Sequence, residues 1–236
     1  MNEVMGIIRS AMQSDAEAVR IIGQNVANAE VTAYQRQIPL SDASFPEALA
    51  ASADLADVPR VAYDSQPGTL RSTGEPLHLA LEGAGFFAVE SPEGLRVTRR
   101  GDLRVSADGF LTSATGDLLL GANGPIHVGA AVPAIDSTGT VRVANQILDQ
   151  LRLVLVEHPE QLRYLGNGTF DAPANEIVDG ATATVRQGYL ETSNVAPVGE
   201  MVQLMEAVRH FEAGQRLARG YDEMLGNAIS ELGKVR

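Results

Sequence analysis

Apolar residues recur at alternating spacings of four and three along both ends of the chain. Near the start, Met1, Met5, Ile8, Met12, Asp15, Val19, Ile22 and Val26 follow that alternation, with Asp15 the polar member. This is the seam of an amphipathic helix, about 40 Å long if it runs to Asn28 at ~1.5 Å per residue. Near the other end, Met201, Leu204, Val208, Phe211, Gln215, Ala218, Asp222, Leu225, Ile229 and Leu232 repeat the alternation, interrupted at Gln215 and Asp222. A second stripe through Val198, Val202 and Met205, and later Leu217, Tyr221, Met224 and Ala228, widens this apolar face. Ser193 and Asn194 are cap candidates, Pro197 suits a first helical turn and Glu200 suits the positive end of the helix dipole. A helix of roughly 55 Å is therefore expected over residues 196–233.

Between these ends the period shortens to that of strands. LHLALEGAGFFAVES (77–91) places Leu77, Leu79 and Leu81 on alternate positions and then runs through Gly83 and Gly85 into Phe86–Val89. LRVT (95–98), DLRV (102–105) and FLTS (110–113) follow, punctuated at Gly94, Gly101 and Asp108-Gly109. Further strands are expected at 140–144, 150–157 and 182–191, and strands at this spacing predict a β-meander or small sandwich. Residues 39–65, rich in Ala, Ser, Asp and Pro, read as a connection with one short helix at 46–55.

The expected fold class is α+β: long N- and C-terminal helices pairing as a coiled-coil-like stem, with a β-rich central domain inserted between them. The expected boundaries are 1–36 for the first helix and the turn after it, 37–65 for the connecting segment, 66–192 for the β-rich domain and 193–236 for the last helix. Two long seam-bearing helices leave apolar surface that one partner does not cover. That makes Met5, Ile8, Met12, Val19, Ile22, Val26, Met201, Leu204, Val208, Phe211, Leu225, Ile229 and Leu232 the candidate assembly interface.

Composition narrows the chemistry. The chain has no cysteine among its 236 residues, which removes disulfides, thiolate metal sites and cysteine nucleophiles. Its formal charge of −12 opposes binding to nucleic acid through phosphates. That charge is concentrated centrally: residues 1–36 and 195–236 carry about −1 each, leaving about −10 between them. The opening residues lack the basic and apolar regions of a cleavable secretion signal, and no stretch has the length of a membrane span. The expectation is therefore no nucleic acid and no membrane insertion.

His78, His127, His158 and His210 are scattered, with no paired metal-ligand spacing, so no metal and no cofactor are expected. Gly83-Ala84-Gly85 reads as hairpin punctuation and not as a phosphate loop. Arg100-Gly101-Asp102 and Asn167-Gly168-Thr169 match an adhesion tripeptide and a glycosylation sequon by chance. Glu157 with Glu160, or Asp171 with Glu176, would be the carboxylate pair of a glycan hydrolase; solvated loop acids explain them better, and no enzyme activity is expected.

Four ordered motifs carry a family resemblance. Asn25, Ala27, Asn28, Thr32, Tyr34 and Arg36 form a turn signature that resembles the one following the first helix of flagellar basal-body rod and hook proteins. TGEPLHLALEGAGFF (73–87), with Gly83, Gly85, Phe86 and Phe87, is similar to that family's Gly-x-Gly-Phe-Phe run. VTRRGDLRVSADGFL (97–111), with Arg99, Gly101, Asp108 and Gly109, is similar to its Thr-Arg-x-Gly and Asp-Gly-x-Leu elements. QGYLETSNV (187–195) resembles the approach to its last helix. The motifs leave about 38–65 and 122–180 unmatched, and the short centre is more like the proximal-rod member than the distal-rod member or the larger hook protein.

The chain departs from the family at Ala33, where a glycine is usual. The turn must therefore avoid positive φ or bear a cost of about 1 kcal/mol. His78 stands where an acid is common and Leu103 where an aromatic is common, which points to altered outer contacts of the β domain.

The resemblance implies a non-enzymatic structural subunit of the flagellar basal body. Such a subunit is exported by the flagellar type III apparatus without a cleaved signal. It polymerises with itself and other rod and hook axial proteins into a hollow tube, its helices inside and its β domain outside, with the Asn28–Tyr34 turn as a hinge. The alternative is a β-domain binding module on a helical stalk that forms a discrete oligomer.

Overall fold

The computed structural model describes residues 2–40, 60–157, 162–172, 176–180 and 183–233. Met1, the helix expected at 46–55, His158 and Glu160 lie outside the described residues. Two compact units divide the chain. One comprises Met1–Ala27, Gln37–Ala62 and Ala196–Arg236; the other comprises Asn28–Arg36 and Tyr63–Val195.

The first unit holds helix α1 (Asn2–Ala27), strand Gln37–Leu40 and helix α2 (Pro197–Gly233). Pro197 opens α2 because its ring presets a helical φ and its missing N–H has no partner to lose in the first turn. The first intrahelical bond runs from the Glu200 N–H to the Ala196 carbonyl at 3.0 Å. Neither Ser193 nor Asn194 caps this helix: the Ser193 hydroxyl accepts from the Val195 N–H, and Asn194 bonds elsewhere.

The expected coiled-coil-like stem is corrected here: two helices flank a β-rich region, and they do not pair seam to seam. A coiled coil requires the apolar seam of each helix to be the face its partner covers. On α1 the seam residues Met5, Ile8, Met12 and Val19 are half-buried and Ile22 is buried. On α2 the less exposed positions are Glu200, Leu204, Ala207, Phe211, Ala213, Gly214, Gln215, Ala218, Tyr221 and Leu225. At alternate steps this covered stripe sits one residue before the apolar one. Met201 is 52% exposed and Val208 38%, while Ala207 and Gly214 take the covered places. Gly214 approaches α1 so closely that a Cβ there would sit 2.9 Å from Met12 Cγ. Small residues at the contact thus replace interlocking apolar knobs.

The second unit is built on a ten-stranded antiparallel sheet. Its strand path runs Arg163–Gly166, Thr169–Asp171, Gly94–Thr98, Phe86–Ser91, Leu118–Gly121, Leu111–Thr112 and Arg104–Val105. Phe86–Ser91 is central: it also pairs with Leu153–Val156 through Phe86 and Phe87, and with Leu118–Gly121 through Val89 and Glu90. Successive strand side chains point to opposite faces, so one strand supplies two cores. Phe87 and Val89 join Leu79, Leu111, Leu119 and Val141 in one cluster. Phe86 and Ala88 join Val97, Val154 and Phe170 in the other. The unbroken apolar run Phe86–Val89 follows from having both faces covered.

Several expected strands break where the chain changes partners. The run 150–157 divides into Gln146–Gln150 and Leu153–Val156, because the Leu151 N–H turns to the Gly139 carbonyl and the Arg152 N–H to the Leu120 carbonyl. The run 182–191 divides into Thr184–Gln187 and Tyr189–Glu191 at Gly188. Small paired sheets, Thr184–Gln187 with Leu79–Glu82 and Tyr189–Glu191 with Leu70–Ser72, tie the last strands of the unit to its first.

Candidate assembly surface and signature turn

The apolar residues that α2 leaves uncovered form a ridge. Val198, Met201, Val202, Met205 and Val208 recur at helical spacing and are all exposed, and Leu217 and Met224 continue exposed further along. Leu204, Phe211 and Leu225 are half-buried. Ile229 and Leu232 lie on α2, with side chains outside the described set. Within the same unit, a groove of about 610 Å³ opens beside Met5, Ile8, Met12 and Ala16 of α1 and Phe211 and Ala218 of α2. This unit therefore carries both an apolar ridge and an apolar groove.

Asn25, Gln37 and Glu200 form a buried polar centre in this unit. Asn25 Oδ1 accepts from the Gln37 N–H at 2.9 Å, while Asn25 Nδ2 donates to the Gln37 carbonyl at 2.8 Å and to Glu200 Oε2 at 2.9 Å. The amide side chain thus imitates a paired strand residue and fixes the end of α1 to the strand Gln37–Leu40. The sequence placed Asn25 in the signature without its partners Gln37 and Glu200, which lie 12 and 175 positions away.

The turn itself belongs to the β-rich unit. Ala27 ends α1. The Asn28 carbonyl accepts from the Val31 N–H at 3.0 Å, Thr32 and Arg36 are half-buried, and Tyr34 is buried. Tyr34 therefore packs inward. Asn194 is the clamp. Its Oδ1 accepts from the Arg36 N–H at 2.7 Å, its Nδ2 donates to the Asp64 and Gln66 carbonyls at 2.9 and 2.8 Å, and its own N–H reaches the Tyr34 carbonyl at 3.3 Å. Ala33 adopts φ 52°, the left-handed conformation that costs a side-chain-bearing residue about 1–2 kcal/mol. Its N–H donates to the Glu191 carbonyl at 2.9 Å.

Three of the sequence motifs meet at Arg99. Arg99 Nε donates to Glu191 Oε2 at 2.8 Å, Nη1 to the Gly85 carbonyl at 2.8 Å and Nη2 to the Gly83 carbonyl at 3.1 Å. The guanidinium lies 5.9 Å from the Phe86 ring centroid. Glu191 Oε1 accepts from the Gly68 N–H at 2.9 Å, and both ionic side chains are 3% exposed. Gly101 is required because a Cβ would come within 1.7 Å of the Leu79 carbonyl oxygen. Phe86 and Phe87 are core residues on opposite faces. At Asp108-Gly109 the chain reverses, with the Gly109 N–H on the Ser106 carbonyl and the Asp108 carbonyl facing His127 Nε2 at 3.0 Å. Leu103, expected among outer contacts, is buried in the first core cluster.

The remaining chemical candidates are held in local contacts. Arg100 is paired with its own neighbour, Nη2 to Asp102 Oδ2 at 2.6 Å, and this hydrogen bond raises the arginine's pKa above its ordinary value. Asn167 and Gly168 form the tip of a hairpin. His78 Nδ1 contacts Thr73 Oγ1 at 2.9 Å. No metal-holding cluster occurs among the described residues, and no helix among them is long and apolar enough to cross a membrane. A cleft of about 740 Å³ in the β-rich unit is lined by Gln150, Arg152, Asp179 and Thr184 among others, without Glu157, Asp171 or Glu176. Arg152 and Asp179 pair there at 2.7 Å, which holds the Asp179 carboxyl below the ordinary aspartate range.

Comparison with known proteins matches two family models. Residues 186–231 match the flagellar basal body rod FlgEFG protein C-terminal model, and residues 80–143 match the flagellar hook protein FlgE/F/G D1 domain model. The flagellar basal-body rod protein FlgF of Salmonella typhimurium is 30% identical over 226 residues, covering 88% of this chain and 89% of the relative. FlgF of Mesorhizobium japonicum is 28% identical over 242 residues, covering 99% of each chain. The rod protein FlgG of Bacillus subtilis is 26% identical over 257 residues, covering 94% of this chain and 96% of the relative.

Proposed function

The chain belongs to the flagellar basal-body rod and hook family of FlgE, FlgF and FlgG, and from that membership we propose that it polymerises through its terminal helices into a hollow axial tube that transmits torque. Its partners are further copies of itself and other axial rod and hook proteins, reached after passage through the flagellar type III export apparatus. The seam residues named from the sequence are its assembly interface, and the Asn28–Tyr34 segment is the hinge between its helical and β-rich parts.

The exposed ridge on α2 is the observation that carries this reading. Each such side chain moved from water into a neighbour's surface contributes about 1.5–3 kcal/mol before ordering costs. Ridge and groove are different surfaces, so a ridge seated in another subunit's groove is a heterologous contact, which extends as a helix where it does not close as a ring. The test is the double variant Met201→Asp/Met205→Asp, expressed in place of the wild-type chain. The expected result is a soluble chain with wild-type β-unit unfolding, absent from isolated basal bodies, in cells that do not swim. Wild-type swimming by this variant would overturn the proposal.

A further inference from the structure

We propose that Met201, Met205 and Met224 on α2 are reversible oxidation sites, where a hydroperoxide converts the thioether to a sulfoxide in the free chain and so closes the apolar ridge to a neighbour; the effect on assembly rests on the rod reading above. The distribution of sulfur in the chain points to this. Met1, Met5, Met12, Met201, Met205 and Met224 are its six methionines, and none falls in the β-rich unit. Both core clusters of that unit are built from Leu, Val, Ile, Phe and Ala instead. With no cysteine and no tryptophan in the chain, methionine is the side chain most open to a two-electron oxidant.

The reaction needs no group from the protein. A sulfur lone pair attacks one peroxide oxygen, the S–O bond forms as the O–O bond breaks, and the departing oxygen leaves protonated, as water when the oxidant is hydrogen peroxide. Sulfur loses two electrons and the peroxide gains them. Access to the sulfur therefore sets the rate. Met201, Met205 and Met224 are 52%, 54% and 62% exposed. Met5 and Met12 are half-buried, and Met12 is crowded at its sulfur as well: a Cβ on Gly214 would lie 3.7 Å from Met12 Sδ.

The product changes what the ridge can do. A thioether is a weak acceptor that packs as an apolar group, whereas a sulfoxide is polar and chiral. In the free chain the new oxygen stays in water, so the fold bears no cost. Seated among a neighbour's apolar side chains it would be an acceptor taken out of water without a donor. Methionine sulfoxide reductases remove the oxygen, one enzyme for each epimer at sulfur, which makes the change reversible.

The first arm of the experiment treats the purified full-length chain with hydrogen peroxide and maps the gain of about 16 Da per sulfoxide by peptide mass spectrometry. Sulfoxide is expected at Met201, Met205 and Met224 at least about threefold faster than at Met5 and Met12. In the second arm, wild type and the Met201→Leu/Met205→Leu/Met224→Leu variant are induced with and without peroxide in cells lacking methionine sulfoxide reductases. Each is compared with its own untreated sample. Peroxide should lower recovery of the wild type from basal bodies by at least about half, leave recovery of the variant at its untreated level, and lose its effect on the wild type when the reductases are restored.

Equal rates at all five methionines overturn the assignment of the sites. Undiminished recovery of the treated wild type, an equal fall in the variant, or a fall that the reductases do not reverse overturns the effect on assembly. Failure of the rod reading shows instead as absence of the untreated wild-type chain from basal bodies.

Discussion

In the β-rich unit, the central strand Phe86–Ser91 has apolar side chains covered on both faces, whereas on α2 the apolar residues Val198, Met201, Val202 and Met205 stand exposed. Both patterns are periodic and both are strongly apolar. The difference lies in what can answer them. A strand that carries two apolar faces is enclosed by strands and loops of the same unit, and the buried Arg99–Glu191 pair fixes the motif loops. A helix with an apolar face wider than one partner covers leaves the remainder for another molecule. Self-sufficiency in one unit and an unanswered surface in the other are the contrast that perturbation can break or sharpen.

The largest effect is expected at Arg99. Arg99→Met leaves Glu191 charged, buried and unpaired, and should lower stability of the β-rich unit by about 3–5 kcal/mol in denaturant unfolding. A loss below about 1 kcal/mol would mean that the motif loops do not depend on the pair. Next is Asn25→Leu in the helical unit, which removes its two hydrogen bonds to the Gln37 backbone and its one to Glu200 Oε2. It should cost about 1–3 kcal/mol, chiefly for the buried Gln37 backbone groups that lose the amide, seen as early loss of helical circular dichroism.

Acidification gives a smaller change. Asp179 is held below its ordinary range chiefly by its hydrogen bond to Arg152. A lowered carboxylate stabilises the folded state fully above the ordinary aspartate range, and that contribution fades as pH falls through it toward the lowered folded value. Both side chains are substantially solvated, so the amount is a few tenths of a kcal/mol; Asp179→Asn should flatten that part of the stability profile. Smallest of all, Met201→Gln/Met205→Gln should move the isolated chain's stability by less than about 0.5 kcal/mol, because exposed positions have little to lose. A fall of 2 kcal/mol would show that the ridge is already buried by the chain itself.

The helices and the β-rich character of the middle were legible, because period and punctuation are local properties of sequence. The facing of α2 was not. Its apolar positions name one stripe, while Gly214 and Ala207 let α1 approach along the adjacent one, and small residues are invisible to a count of apolar ones. The hairpin Arg163–Gly166/Thr169–Asp171 was missed although Asn167-Gly168 is the strongest short hairpin signal; weighing these residues only as a chance sequon match concealed the turn. The Arg99 centre joins residues 14, 16 and 92 positions away, and such pairings leave no trace in a single sequence. For Ala33 the sequence posed the alternatives, and the backbone takes the strained one.

Hydrogen exchange on the isolated chain and on the same chain within basal bodies tests the contrast most directly. The account predicts that amides of Phe86–Ser91 and Gly94–Thr98 are equally protected in both, while amides along Pro197–Gly233 are more weakly protected than these in the isolated chain and gain protection on assembly. Equal protection of that helix in both states would contradict it.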